Sequence, residues 1–324
     1  MMNAQYKRKR NPPGFMFLDA QATKRLQSSN REAQQVLENA GFERVMPASI
    51  DYPETFTNIQ GRRFQFRDAN GADLNLRNDV TVQVIKGYSN QLEESEQQIR
   101  KFFYTVPVFS DEEGQLREVY QVGAEYIGEN EEKSIPELIE LSYKILTGAF
   151  NRNPMIIISD IRNFTILSKH VYSEFLKENV RKKNAPELAS LFIEKGYTAA
   201  VAGELSRALL YSSLLPGETS WSQLEELGKK VTNEQKSFVE EILASLEKLT
   251  DLARKMQKLN IPVVCEPLKI RKADYYSGFL FEGYIEGLSF SPLRGGAYDN
   301  LVEEYSQRKM NASGFALDAT SLVV

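Results

Sequence analysis

Cysteine and histidine each occur once in 324 residues. One cysteine, Cys265, excludes an internal disulfide and suits a reducing, cytoplasmic setting. Its apolar surroundings, Ile261 to Cys265, read as those of a small buried hydrophobe. One histidine, His170, excludes multi-histidine metal sites and argues against a Ser-His-Asp triad. Its helical-looking context reads as structural, and no metal site is expected. No run of about 18 apolar residues exists, so no transmembrane helix is expected. The N-terminus shows no apolar core of a secretory signal. A strong positive balance is also missing: 40 Lys and Arg against 44 Asp and Glu give a net charge of −4. That disfavours broad electrostatic binding of nucleic acid. The Lys7-Arg8-Lys9-Arg10 run reads as a frayed, solvated terminus.

What is present is ordinary for a soluble globular chain, with 42% apolar and 26% charged residues. The length suggests one large or two ordinary domains. A helix is expected from about Asp19 to Ala40, where Leu26, Ala33, Val36, Leu37 and Ala40 recur at helical spacing before a terminating Gly41. Strand-like pieces follow at Phe64 to Arg67, Leu74 to Arg77, Phe102 to Phe109 and Val119 to Ile127, with Gly71, Gly114 and Gly128 as turns. Such a run suggests an antiparallel sheet. A helix from Pro136 to Phe150 and a buried strand from Met155 to Ser159 lead into mostly helical sequence. Its clearest helix starts at Thr232, where Thr-x-x-Gln with Gln235 resembles a capping box. Phe238, Ile242, Leu246, Leu249, Leu252, Ala253 and Met256 then form an apolar stripe that reads as core. Strands return from Ile261, with Phe279 to Tyr284 the clearest.

Five short segments carry candidate chemistry. They are Leu76-Arg77-Asn78-Asp79-Val80-Thr81, Gln121-Val122-Gly123-Ala124-Glu125, Arg271-Lys272-Ala273-Asp274-Tyr275-Tyr276-Ser277-Gly278, Gly295-Gly296-Ala297-Tyr298-Asp299 and Gly314-Phe315-Ala316-Leu317. Spacing by four on a strand puts Gln121 and Glu125 on one face. In this order the segments resemble the catalytic core of histidyl-tRNA synthetases. The resemblance implies an α+β, class II synthetase-like antiparallel sheet flanked by helices, built from residues 1–160 and 261–324, with a mainly helical insertion at 161–260. It further implies a histidine pocket lined by Asp79, Thr81, Gln121, Glu125, Arg271, Tyr275 and Tyr276.

The family's ATP-binding cations are replaced. The Phe-Arg-x-Glu arginine aligns with Ser110 of Phe109-Ser110-Asp111-Glu112, in a turn shorter than that of the synthetases. The third-motif arginine falls at Ser321, and the Gly-Gly-Arg-Tyr-Asp arginine at Ala297. Neutral side chains cannot stabilise charge on a transferring nucleotide. Arg117 survives, either as a residual anion contact or as a partner to a neighbouring acid. Synthetases also carry an anticodon-binding domain after the last motif, where only Asp318 to Val324 stand here. With that pattern the chain resembles the regulatory subunit of ATP phosphoribosyltransferase. The resemblance implies a chain without catalysis or cofactor, which activates a short-form catalytic subunit, transmits histidine as feedback effector and self-associates as a dimer around Asp19 to Pro47. A minimal synthetase-like ligase using ATP and an amino acid is the alternative, and a tRNA-binding module a more distant one.

Overall fold

The computed structural model describes residues 10–57, 59, 61–90, 99–111, 116–214, 221–270 and 275–324. Along the chain run α1 (Ala20–Asn39), β1 (Glu43–Arg44), β2 (Ile50–Asp51), a 3-10 turn (Pro53–Phe56), β3 (Gln65–Arg67), β4 (Asp73–Leu76) and α2 (Thr81–Ser89). The long strands β5 (Arg100–Phe109) and β6 (Glu118–Ile127) precede α3 (Glu131–Lys144), whose last turn opens into a π-helical segment, Ile145–Ala149. Then come β7 (Met155–Asp160), α4 (Ile161–His170), α5 (Leu176–Arg181), α6 (Ala185–Glu194), α7 (Ala199–Tyr211), α8 (Ser222–Gly228) and α9 (Asn233–Lys258). The chain closes with β8 (Val263–Cys265), β9 (Phe279–Tyr284), β10 (Leu293–Ala297), α10 (Asp299–Ser306), β11 (Ala312–Asp318) and α11 (Thr320–Val323). No helix among the described residues is long and apolar enough to cross a membrane.

Two compact units result: Met1–Asn153 with Ala273–Tyr275 and Pro292–Val324, and Pro154–Lys272 with Tyr276–Ser291. In the first, strands run in the order β1-β5-β6-β11-β10. All neighbours are antiparallel except β1 and β5. Helix α1 starts at Asp19, whose carboxylate accepts from the Ala22 amide, a cap worth about 1 kcal/mol. It ends at Gly41 with φ +81°, a conformation that favours glycine. Leu26, Ala33 and Leu37 are buried. Two of the expected strands leave the main sheet: β3 and β4 pair with β2 in a separate three-stranded sheet. The expected turn glycines Gly71 and Gly128 both have positive φ, while Gly114 lies outside the described residues.

One expected helix start is corrected. Helix α3 begins at Glu131, five residues before Pro136, because the Asn130 side chain accepts from the Lys133 amide. Pro136 sits inside the helix, where it removes one backbone donor.

In the second unit, β9-β7-β8 form a short mixed sheet, antiparallel then parallel. The capping box of α9 is formed, with Gln235 accepting from the Thr232 amide at 3.2 Å. Every residue of its apolar stripe is buried, and the helix packs on β7, β8, α4 and α8. These strands therefore cluster with the helices, and the unit does not begin and end at the expected 161 and 260. An amphipathic helix needs such a surface to bury its stripe. His170 ends α4 stacked on Phe238, ring centroids 4.2 Å apart, with Nε2 at 2.8 Å from the Tyr197 hydroxyl. Cys265 is buried and free, and burial pushes its thiol up to about 12.

Candidate amino-acid pocket on the open sheet face

The main sheet of the first unit has two unlike faces. One carries Tyr126, Ala124, Val122, Ser313, Phe315 and Leu317, and Ser313 hydrogen-bonds Ser134 of α3 at 2.7 Å, so helices cover it. The other carries Gln121, Gly123, Glu125, Gly314, Ala316 and Asp318. Gln121 and Glu125 thus share a face, as their spacing requires.

Glu125 is wholly buried in the middle of that second face. Its Oε1 accepts from the Thr81 hydroxyl at 2.7 Å, and its Oε2 from the Tyr298 hydroxyl. Tyr104 lies beside it, fully buried, with the hydroxyl end of its ring over Gly123. Burial pushes the Glu125 carboxyl up to about 8, and the nearby Asp79 carboxylate pushes in the same direction. Burial and Glu125 together hold the Tyr104 and Tyr298 phenols well above their ordinary range.

Thr81 opens α2 after the N-cap Val80, and Asp79 Oδ1, one residue earlier, accepts from the Val82 amide at 3.1 Å. The Asp79 Oδ2 accepts from the Tyr275 hydroxyl at 3.3 Å, and burial raises its carboxyl. Tyr275 packs edge-on against Tyr298, centroids 6.0 Å apart. Arg77, two residues before Asp79, is buried without a carboxylate. It donates instead to the carbonyls of Pro107 (2.6 Å), Pro47 (2.7 Å) and Ala48 (3.3 Å), fixing the segment that delivers Asp79 and Thr81.

Of the expected pocket residues, Asp79, Thr81, Gln121, Glu125 and Tyr275 belong to this unit, whereas Tyr276 belongs to the second. Arg271 lies outside the described residues. Arg117 pairs with Asp111 at 2.7 Å and stands over the Phe64 ring. Ser110 uses its amide to bond the Arg117 carbonyl. Ser321 donates its hydroxyl to Asp318 at 2.6 Å, and Ala297 is buried. Tyr104 and Tyr298 are not among the expected pocket residues. Tyr298 lies in the Gly-Gly-Ala-Tyr-Asp segment; Tyr104 carries only strand alternation as a signal. Among the described residues, no group of three His, Cys, Asp or Glu is placed to hold a metal ion. The arrangement suits recognition of a cationic or hydrogen-bond-donating group by buried carboxyls.

The model of the histidyl-tRNA synthetase family matches residues 14–322. The chain belongs to that family. The ATP phosphoribosyltransferase regulatory subunit of Leptospira interrogans is 27% identical over 330 residues, covering 96% of this chain and 92% of the relative. The histidine–tRNA ligase of Pyrobaculum aerophilum is 28% identical over 300 residues, covering 89% of this chain and 68% of the ligase. The crystal structure of an ATP phosphoribosyltransferase regulatory subunit/histidyl-tRNA synthetase from Bacillus halodurans superposes with a TM-score of 0.78 at 21% identity, over 97% of this chain and 82% of that one. The fold is therefore that of the class II synthetases.

Proposed function

We propose that this family member is the non-catalytic regulatory subunit of an ATP phosphoribosyltransferase, which activates a short-form catalytic subunit and makes it sensitive to histidine. The carrying observation is an asymmetry. Glu125 is bonded to Thr81 and Tyr298, and Asp79 to Tyr275, whose ring packs on Tyr298, so the two carboxyls share one cluster, while the positions of the family's nucleotide-holding arginines carry Ser110, Ala297 and Ser321. Ser321 and Arg117 are occupied by Asp318 and Asp111. A feedback sensor must release its ligand unchanged, so recognition without activation is what such a role demands. Histidine then acts by binding two assembly states unequally.

Self-association belongs to the same reading. Class II cores dimerise around the helix and strand that end near a proline, here Asp19 to Pro47. Phe17 and Met46, at its edges, are 83% and 74% exposed. A two-fold dimer would present matched surfaces to the catalytic partner.

Mixing the chain with a short-form catalytic subunit tests the proposal. Light scattering should detect a larger species, and phosphoribosyl transfer should rise and become histidine-sensitive. A catalytic subunit already fast and histidine-sensitive alone would sink it. Histidine-dependent ATP–pyrophosphate exchange near about 1 per second would favour the ligase reading instead.

A further inference from the structure

The side chain of Asn75 is buried without a protein partner. The residue is 0% exposed, and neither its carboxamide oxygen nor its nitrogen meets a hydrogen-bonding group among the described residues. Buried amides in folded proteins are satisfied by protein groups or by ordered water.

The registers show what surrounds it. Asn75 lies on β4, the central strand of the three-stranded sheet, opposite Asp51 of β2 and Gln65 of β3. Directly opposed residues share a face. Arg77, two residues on, shares it too, because its amide continues the ladder to the Ser49 carbonyl. That face meets α2. Asp51 Oδ2 accepts from Gln83 Nε2 at 3.2 Å, and Asp51 Oδ1 from Lys86 Nζ at 2.7 Å. Gln83 Nε2 also donates to the Ala48 carbonyl at 3.0 Å, an oxygen that it shares with Arg77 Nη1. Asp51, across the ladder from Asn75, and Arg77, next along its strand, thus both lead to the Gln83 carboxamide. The Oε1 of Gln83 is itself buried and unpartnered. Its orientation is fixed, since turning the amide end for end would set Oε1 against the Ala48 carbonyl and the Asp51 carboxylate.

The unmatched groups are therefore of both kinds: N–H donors on Asn75, and carbonyl oxygens on Asn75 and Gln83. An anion cannot donate to those oxygens and would face Asp51. A metal ion cannot accept from the amide and would face Lys86 and Arg77. A small neutral molecule that donates and accepts matches the set.

We propose that ordered water is bound between Asn75 and Gln83 and fastens the three-stranded sheet to α2. One molecule accepts from Asn75 Nδ2 and donates to Gln83 Oε1. Gln83 follows Thr81 by two residues on α2, and Thr81 donates to Glu125. The water thus belongs to the framework that places Thr81, beside the bonds of Arg77 to the Pro47, Ala48 and Pro107 carbonyls.

Two measurements on the full chain test this. A high-resolution crystal structure of the wild type should show a water within about 2.7–3.2 Å of both Asn75 Nδ2 and Gln83 Oε1. In solution, oxygen-17 relaxation dispersion counts long-lived internal waters. Asn75→Leu, similar in size but without polar atoms, should lower that count by at least one. A direct bond between the two carboxamides, with no density between them, would overturn the proposal. Anomalous signal from a metal ion or chloride at that position would overturn it as well, by putting a charged ligand there. An unchanged count in a folded Asn75→Leu would do the same. Should that variant fail to fold, the wild-type crystal structure decides alone.

Discussion

The carboxylate of Glu125 stands where a side chain on residue 314 would begin. The two residues pair across β6 and β11, and a Cβ built on Gly314 would lie 2.0 Å from Glu125 Oε2 and 2.6 Å from the Ala124 carbonyl oxygen. Glycine is required here for space, since the Gly314 φ is not in the left-handed region. Gly314→Ala should therefore destabilise the chain by about 1–3 kcal/mol. It should also displace the carboxylate from Thr81 and Tyr298. Urea denaturation reads the first effect and ligand calorimetry the second; an unchanged midpoint would show that the ladder yields to a methyl group.

Glu125 also sets a pH dependence. Its folded pKa of about 8 lies above the ordinary carboxylate value of 4.5, so between those values the native state holds a proton that the unfolded chain has lost. Stability should fall as pH rises from about 4.5 to about 8, by at most about 1.4 kcal/mol per unit, and should level off above that. Glu125→Gln keeps the size of the side chain without its charge and should flatten this slope, gaining stability relative to the wild type at pH 8.5. Parallel slopes for the two proteins would mean that Glu125 is already ionised at neutral pH.

Much of this fold could be read from local pattern. Helix α9 is legible because Thr232, Gln235 and seven apolar residues at helical spacing agree with one another. Strands β5, β6 and β9 follow from alternation and β-branched or aromatic content. The start of α3 differs from the expected one because Pro136 looks like a first-turn proline, while the real cap, Asn130, precedes a charged turn with no apolar signal. The separate pairing of β3 and β4 is non-local and leaves no trace in either strand. The candidate site can be read where residues follow motifs, as at Asp79, Thr81 and Glu125. Tyr104 becomes visible only through the register that aligns it with Gly123.

His170 should oppose Glu125 at low pH. Burial, with Lys195 nearby, lowers its pKa below 6.5, and Phe192, Phe238 and the Tyr197 ring enclose it. Below 6.5 the unfolded chain takes up a proton before the native state does. The His170 contribution therefore reduces stability as pH drops through 6.5 towards the lower folded value, and vanishes above 6.5. NMR titration of the single imidazole measures this directly, without assignment. A midpoint at or above 6.5 would contradict the packing.

Arg77 is the side chain on which the geometry of the pocket depends most indirectly. Its guanidinium joins the carbonyls of Pro47 and Ala48 to that of Pro107, about thirty residues away on either side. Its backbone adds bonds to Ser49 and Phe109. Arg77→Met fills similar volume but strands those buried acceptors, and charge-assisted bonds of this kind are worth about 1.5–3 kcal/mol each. A loss of about 3 kcal/mol or more is expected. Arg77→Lys should recover only part of it, because one ammonium cannot reproduce a planar fork aimed in two directions. If Arg77 acts by placing Asp79 and Thr81, the lysine variant should bind amino acid more weakly even where urea denaturation shows it fully folded. Wild-type affinity in a destabilised Arg77→Lys would confine this arginine to stability alone.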